Sequence, residues 1–116
     1  MIELTLKNYL AQMLADVPVK LEIPADPPAE FILIEHTGGG DEGELLQGAV
    51  FAVQSYGPSL ADAAALNKRV ETAMRSIAEL PQICSCALNS SYNFTDTASK
   101  HYRYQAVYDI IFYREE

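Results

Sequence analysis

The apolar positions of this chain change period along its length. Ile2, Leu6, Tyr9, Leu10, Met13 and Leu14 recur at three- and four-residue steps, predicting a short amphipathic helix over Met1 to Ala15 that ends near Asp16 to Pro18. Val19 to Ile23 is a short strand candidate. Pro24-Ala25-Asp26-Pro27-Pro28 reads as a rigid extended link, because each proline fixes its own φ and lacks a donor. Glu30 to Thr37 is a strand that is apolar on both faces in its middle, as suits a central strand covered on each side. Gly38-Gly39-Gly40-Asp41-Glu42-Gly43-Glu44 reads as a flexible acidic loop. It leads into a strand over Gly48 to Tyr56, so the two strands form a long-looped hairpin.

Gly57-Pro58 stops that strand. Ser59 is placed to cap a helix, and Asp62 puts a carboxylate in its first turn, where the helix dipole favours negative charge. Leu60, Ala63, Asn67, Val70, Met74 and Ile77 form one stripe of this helix, which ends before Pro81. Ile83 to Ser91 is a further strand and Tyr92 to Lys100 a polar connection. In His101 to Tyr113 the alternation is clearest. Tyr102, Tyr104, Ala106, Tyr108, Ile110 and Phe112 share one face, and Arg103, Gln105, Val107, Asp109, Ile111 and Tyr113 share the other. That second face is half polar and half apolar, which fits contact with another chain better than contact with bulk water. The order α-β-β-β-α-β-β predicts an α+β fold for residues 1–116 as one domain. Two helices pack on a mixed, largely antiparallel sheet of four or five strands.

Charge narrows the partners. Sixteen acidic against eight basic residues give a net charge of -8. Between Asp16 and Glu44, Lys20 alone offsets a run of acidic side chains. A phosphate backbone would be repelled, so direct nucleic-acid binding is not expected. No apolar run reaches the ~20 residues of a membrane span, and Glu3 stands where a signal peptide would be basic. A soluble intracellular protein without a membrane role is expected.

Candidate chemistry is sparse. His36 and His101 lie in different elements, with no nucleophile motif beside either, so structural roles are expected and an enzyme using one of them is the weakest reading. Cys84 and Cys86 share one face of a strand at a spacing too short for a zinc pair, and buried or semi-buried free thiols without metal are expected. The triple glycine lacks the Lys-Ser/Thr of a phosphate loop, and Asp41, Glu42 and Glu44 do not have calcium-loop spacing. No catalytic residue, metal or cofactor is assigned. Five of the seven tyrosines follow residue 90, a bias found at interfaces as well as in cores.

Spread over the chain is a pattern that resembles the tail terminator (tail completion, head-tail joining) proteins of long-tailed phages and prophages. It comprises the N-terminal helix, the proline link, Phe31-Ile32-Leu33-Ile34-Glu35-His36-Thr37-Gly38-Gly39, Ala49-Val50-Phe51-Ala52-Val53-Gln54, the helix with Ala64, Leu66, Val70 and Ala73, and Arg103-Tyr104-Gln105-Ala106-Val107. The resemblance implies a homo-oligomeric ring, usually a hexamer, that caps the tail tube and joins it to the head-neck. Its partners would be further copies of itself, the major tail tube protein and the head-neck connector. It would act at the tail-neck junction of the virion and in the host cytoplasm during assembly. With it, Gly38, Gly39, Gly40, Asp41, Glu42 and Glu44 are expected as a mobile contact region. Arg103, Gln105, Val107, Ile111 and Tyr113 are expected in or near a subunit interface. The alternative is a small-molecule-binding regulatory domain with a ferredoxin-like sheet.

Overall fold

A computed structural model describes residues 1–114. It contains α1 (Ile2–Met13), β1 (Val19–Lys20), β2 (Phe31–Asp41), β3 (Leu46–Tyr56), α2 (Leu60–Met74), one 3₁₀ turn (Ile77–Glu79), β4 (Ile83–Asn93) and β5 (Arg103–Tyr113). The expected α+β order is present. The five strands form one sheet in the order β1-β2-β3-β5-β4, with β1 parallel to β2 and every other pair antiparallel. β3 and β4 therefore run parallel. α2 connects them, and β5 fills the gap between, a split β-α-β arrangement.

Local chemistry explains the turn from β3 into α2. The Ser59 hydroxyl accepts the backbone N–H of Asp62 at 3.1 Å and donates to its carboxylate at 2.8 Å. A Cβ on Gly57 would stand 2.7 Å from the Ala63 nitrogen, so only glycine lets the strand pass this close to the helix. α2 buries Ala63, Leu66, Asn67, Val70, Ala73 and Met74, while Leu60, expected on the stripe, is exposed in the first turn. α1 buries Ile2, Leu6 and Leu10. The two helices are tied together. Tyr9 donates to the Ala73 carbonyl at 2.6 Å, and Arg69 makes two hydrogen bonds to the Asp16 carboxylate.

Three expected boundaries are corrected. β1 is two residues long instead of five, and β4 continues to Asn93. The larger change is in β2. Gly38 to Asp41 are not a loop: after an irregularity at Thr37 they pair with Val50, Ala49, Gly48 and Gln47 of β3. Close backbone approach is the reason the sequence has glycine here, since a Cβ on Gly39 would lie 2.4 Å from the Gly48 carbonyl oxygen. Only residues 42–45 turn the chain. Arg114 braces that tip, donating to the Gly43 carbonyl at 3.1 Å and pairing with Asp41. β2 lies between β1 and β3 and is buried on both faces over its first four residues. Ile32 and Ile34 enter the main core beneath the helices, whereas Phe31 and Leu33 join Tyr56 in a small cluster on the opposite face.

Candidate functional site

Both helices pack on one face of the sheet, against Ile34, Phe51, Val53, Ala106, Tyr108 and Ile110. Among the described residues no helix lies on the other face, called here the outer face. The register gathers β2, β3, β5 and β4 residues there in rows: Leu33-Gln54-Gln105-Tyr92, Glu35-Ala52-Val107-Ser90, Gly38-Val50-Asp109-Ala87 and Gly40-Gly48-Ile111-Ser85.

Its two ends differ. Where β5 begins, the Phe31 and Tyr56 rings stack with centroids 4.4 Å apart, and the Arg103 guanidinium lies over the rings of both Tyr56 and Phe94. One row further on, a chain of hydrogen bonds crosses three strands. Arg103 donates to the Tyr56 hydroxyl (2.8 Å), which donates to Gln54 (3.0 Å). Gln54 in turn donates to Gln105 (2.7 Å), and Gln105 to the Tyr92 hydroxyl (2.6 Å). Gln54 is 4% exposed and Gln105 9%, burial that an amide tolerates only when its polar atoms are paired. Toward the β2–β3 tip the face changes character. Gly40, Gly48, Val50 and Ile111 line a shallow hollow of 380 Å³, rimmed by Asp109 and Glu42. A Cβ on Gly48 would meet the Glu42 carboxylate at 3.2 Å.

The sheet has open edges on both sides of this face. Among the described residues β4 pairs only with β5, leaving its other edge unpaired from Ile83 to Asn93, with Leu88 and Tyr92 exposed. β2 is covered on its other edge only where β1 meets Ile32 and Leu33. Unpaired N–H and C=O groups along a strand are templates for another chain.

The residues singled out in the sequence divide accordingly. Val107, Ile111 and Tyr113 stand on the outer face with partial or full exposure. Arg103 and Gln105 share that face, but their side chains are committed to the stack and the hydrogen-bond chain. Gly38 and Gly40 lie on the outer face, Gly39 and Asp41 in register with the helix side, and Glu42 and Glu44 at the tip. Asp41 accepts the Gly43 N–H and pairs with Arg114, which together hold its carboxyl below the usual range. Sequence reading missed Gln54, Tyr56, Tyr92 and Phe94. Gln54, a lone amide inside an apolar strand, was the available signal.

The remaining candidates lie elsewhere. The His36 ring stacks on Phe51, with Nδ1 3.7 Å from Glu3, and His101 sits in a turn bridged to Asp96. Against the expectation of two buried or semi-buried thiols, Cys84 is exposed, at the irregularity between Ile83 and Ser85, and only Cys86 is half-buried. Burial pushes the Cys86 thiol up to about 11, with Asp109 adding to the shift. Among the described residues no three His, Cys, Asp or Glu side chains are grouped to hold a metal ion, and no helix is long and apolar enough to cross a membrane. The chain matches no protein-family model and no curated protein, so the bare sheet face and its edges carry the functional reading.

Proposed function

We propose that the protein is a structural subunit of a closed homo-oligomeric ring, capping a phage tail tube and joining it to the head-neck connector. This places it in the host cytoplasm during assembly and at the tail-neck junction of the finished particle. One observation carries the reading: the outer face leaves Val107 and Ile111 without a covering layer, on a sheet whose outermost edges are open. Head-to-tail association that closes on itself removes such edges, and the number of copies follows from the rotation between neighbours. The sequence resemblance supplies the tail and the sixfold ring. The acidic excess suits a channel wall, since like charge keeps passing DNA from adhering. No step of catalysis enters this role. The alternative of a regulatory domain with a ferredoxin-like sheet is disfavoured by topology, because one helix between strands and the order β1-β2-β3-β5-β4 lack the second β-α-β unit of that fold.

The test is assembly. In sedimentation velocity at tens of micromolar, and on mixing with tail tube protein, the wild type forms a ring that electron microscopy places at the tube end. Ile111→Asp shifts the chain toward monomer while circular dichroism and the unfolding midpoint stay near wild type. A chain that stays monomeric alone and with tail tube protein overturns the proposal.

A further inference from the structure

A second feature stands apart from the ring and does not depend on it. Beyond the Phe31–Tyr56 stack, where β2 begins and β3 ends, the proline link and the segment before β5 enclose a cavity of 290 Å³. Its chemistry is that of a built pocket. The stacked Phe31 and Tyr56 rings close its inner wall, with only 3% and 8% of their surface exposed. Pro27, Pro28 and Pro58 supply walls whose backbone is already fixed, so little conformational freedom is lost when a ligand enters. The rim is cationic. Lys100 and Arg103 both line the cavity, in a chain with only eight Lys and Arg and a net charge of -8.

The cations are also uncommitted to carboxylates. Arg69 and Arg114 pair with Asp16 and Asp41, but among the described residues neither Lys100 nor Arg103 forms an ion pair. Arg103 is held by the Phe94 carbonyl, the Tyr56 hydroxyl and two ring faces. Asp96, which neighbours His101, turns its carboxylate to the Ser99 hydroxyl at 2.7 Å and the Ala98 N–H at 3.1 Å. Lys100 adopts φ 56, a left-handed conformation that costs a lysine backbone strain and that the Asp96–His101 bridge holds in place. Two basic side chains beside an apolar slot, within an acidic molecule, suit one kind of small ligand.

We infer that this cavity binds a small aromatic carboxylate, its ring between the prolines and the Phe31–Tyr56 wall and its carboxylate at Lys100 and Arg103. A volume of 290 Å³ admits one ring and a short acid arm, and little more.

The experiment titrates ¹⁵N-labelled protein with 3-phenylpropionate and, separately, with the neutral 3-phenylpropionamide. Chemical-shift changes are expected at residues 27–31, 56–58 and 100–103. The acid should bind about fivefold more tightly than the amide, the factor expected of one partly solvated charge contact. Lys100→Gln reduces that preference and Lys100→Gln with Arg103→Gln removes it. Three outcomes overturn the inference. They are absence of localised shifts at roughly 10 mM probe, a concentration that populates a one-ring site, equal affinity for acid and amide in the wild type, or an undiminished preference in the double variant. The first two need no substitution, so a variant that folds poorly does not rescue the idea. Ring formation is not read by any of them.

Discussion

The two faces of this sheet share one alternation and differ in everything placed against it. On the helix side, large side chains such as Phe51 and Ile110 are sealed beneath α1 and α2, at 0% and 1% exposure. On the outer face Ala52 is 3% and Gln54 4% exposed although no helix lies above them. There the burial comes from sideways neighbours: stacked rings and paired amides. Low exposure in a sheet is thus not evidence of a second layer. Alternation reports which residues share a face, and a further signal is needed to say what lies on it.

The comparison can be broken most forcefully at its centre. Phe51→Ala should cost about 3–5 kcal/mol in urea unfolding, because it empties a sealed site. Val50→Ala, one residue away on the outer face, should cost less than about 1 kcal/mol. Similar losses at the two positions would mean that the outer face is packed like a core.

Next in size is the amide chain. Gln54→Ala strands the Tyr56 hydroxyl and the Gln105 carbonyl and should cost about 1–3 kcal/mol. Gln54→Leu combined with Gln105→Leu should cost less than Gln54→Ala, since the two amides become apolar together, but not nothing, since the Tyr56 and Tyr92 hydroxyls each lose a partner. A double variant as unstable as the single one would show that these amides do more than satisfy each other.

The glycines sharpen the contrast within one strand. Gly39→Ala forces a Cβ against the β3 backbone and should lower stability by about 1–2 kcal/mol, whereas Gly40→Ala, with nothing within 4 Å of the new atom, should change it by less than about 0.5 kcal/mol. Equal effects would place the β2–β3 pairing in error.

The smallest effect is chemical. Iodoacetamide near pH 8 should label exposed Cys84 well before Cys86, as peptide mapping would read. Because folding raises the Cys86 pKa above the ordinary thiol value near 9, its contribution to stability is complete below pH 9. It fades as pH rises toward about 11. Labelling of Cys86 first would contradict its burial.

Much of the architecture was legible because local signals agreed with one another. Ser59 and Asp62 marked the start of α2, and the alternation from Tyr104 to Phe112 assigned the two faces of β5 as they stand. The glycine-rich end of β2 was not legible. Glycine has low strand propensity, and the requirement it answers here, the closeness of the Gly48 carbonyl, belongs to another strand. Leu60 was misplaced for a related reason: periodicity continues into the first turn, beyond the surface the sheet offers. The outer face was half legible. Its residues could be named, but the Gln54–Gln105 pair spans distant parts of the chain, and the 290 Å³ cavity draws its walls from three separate segments.

The insertion of β5 between β3 and β4 also fixes an order of events. The β2–β3 hairpin and both helices are made early in the nascent chain, yet β3 keeps a vacant edge, and β4 has no strand to pair with, until residues 103–113 arrive. Closure is therefore late and non-local, the kind of step that slows folding and lengthens the life of sticky intermediates. A chain of this design cannot present its outer face to a neighbour piecemeal. Each copy must finish its own sheet before the outer face exists as one surface, so the ring proposed above would have to start from completed chains.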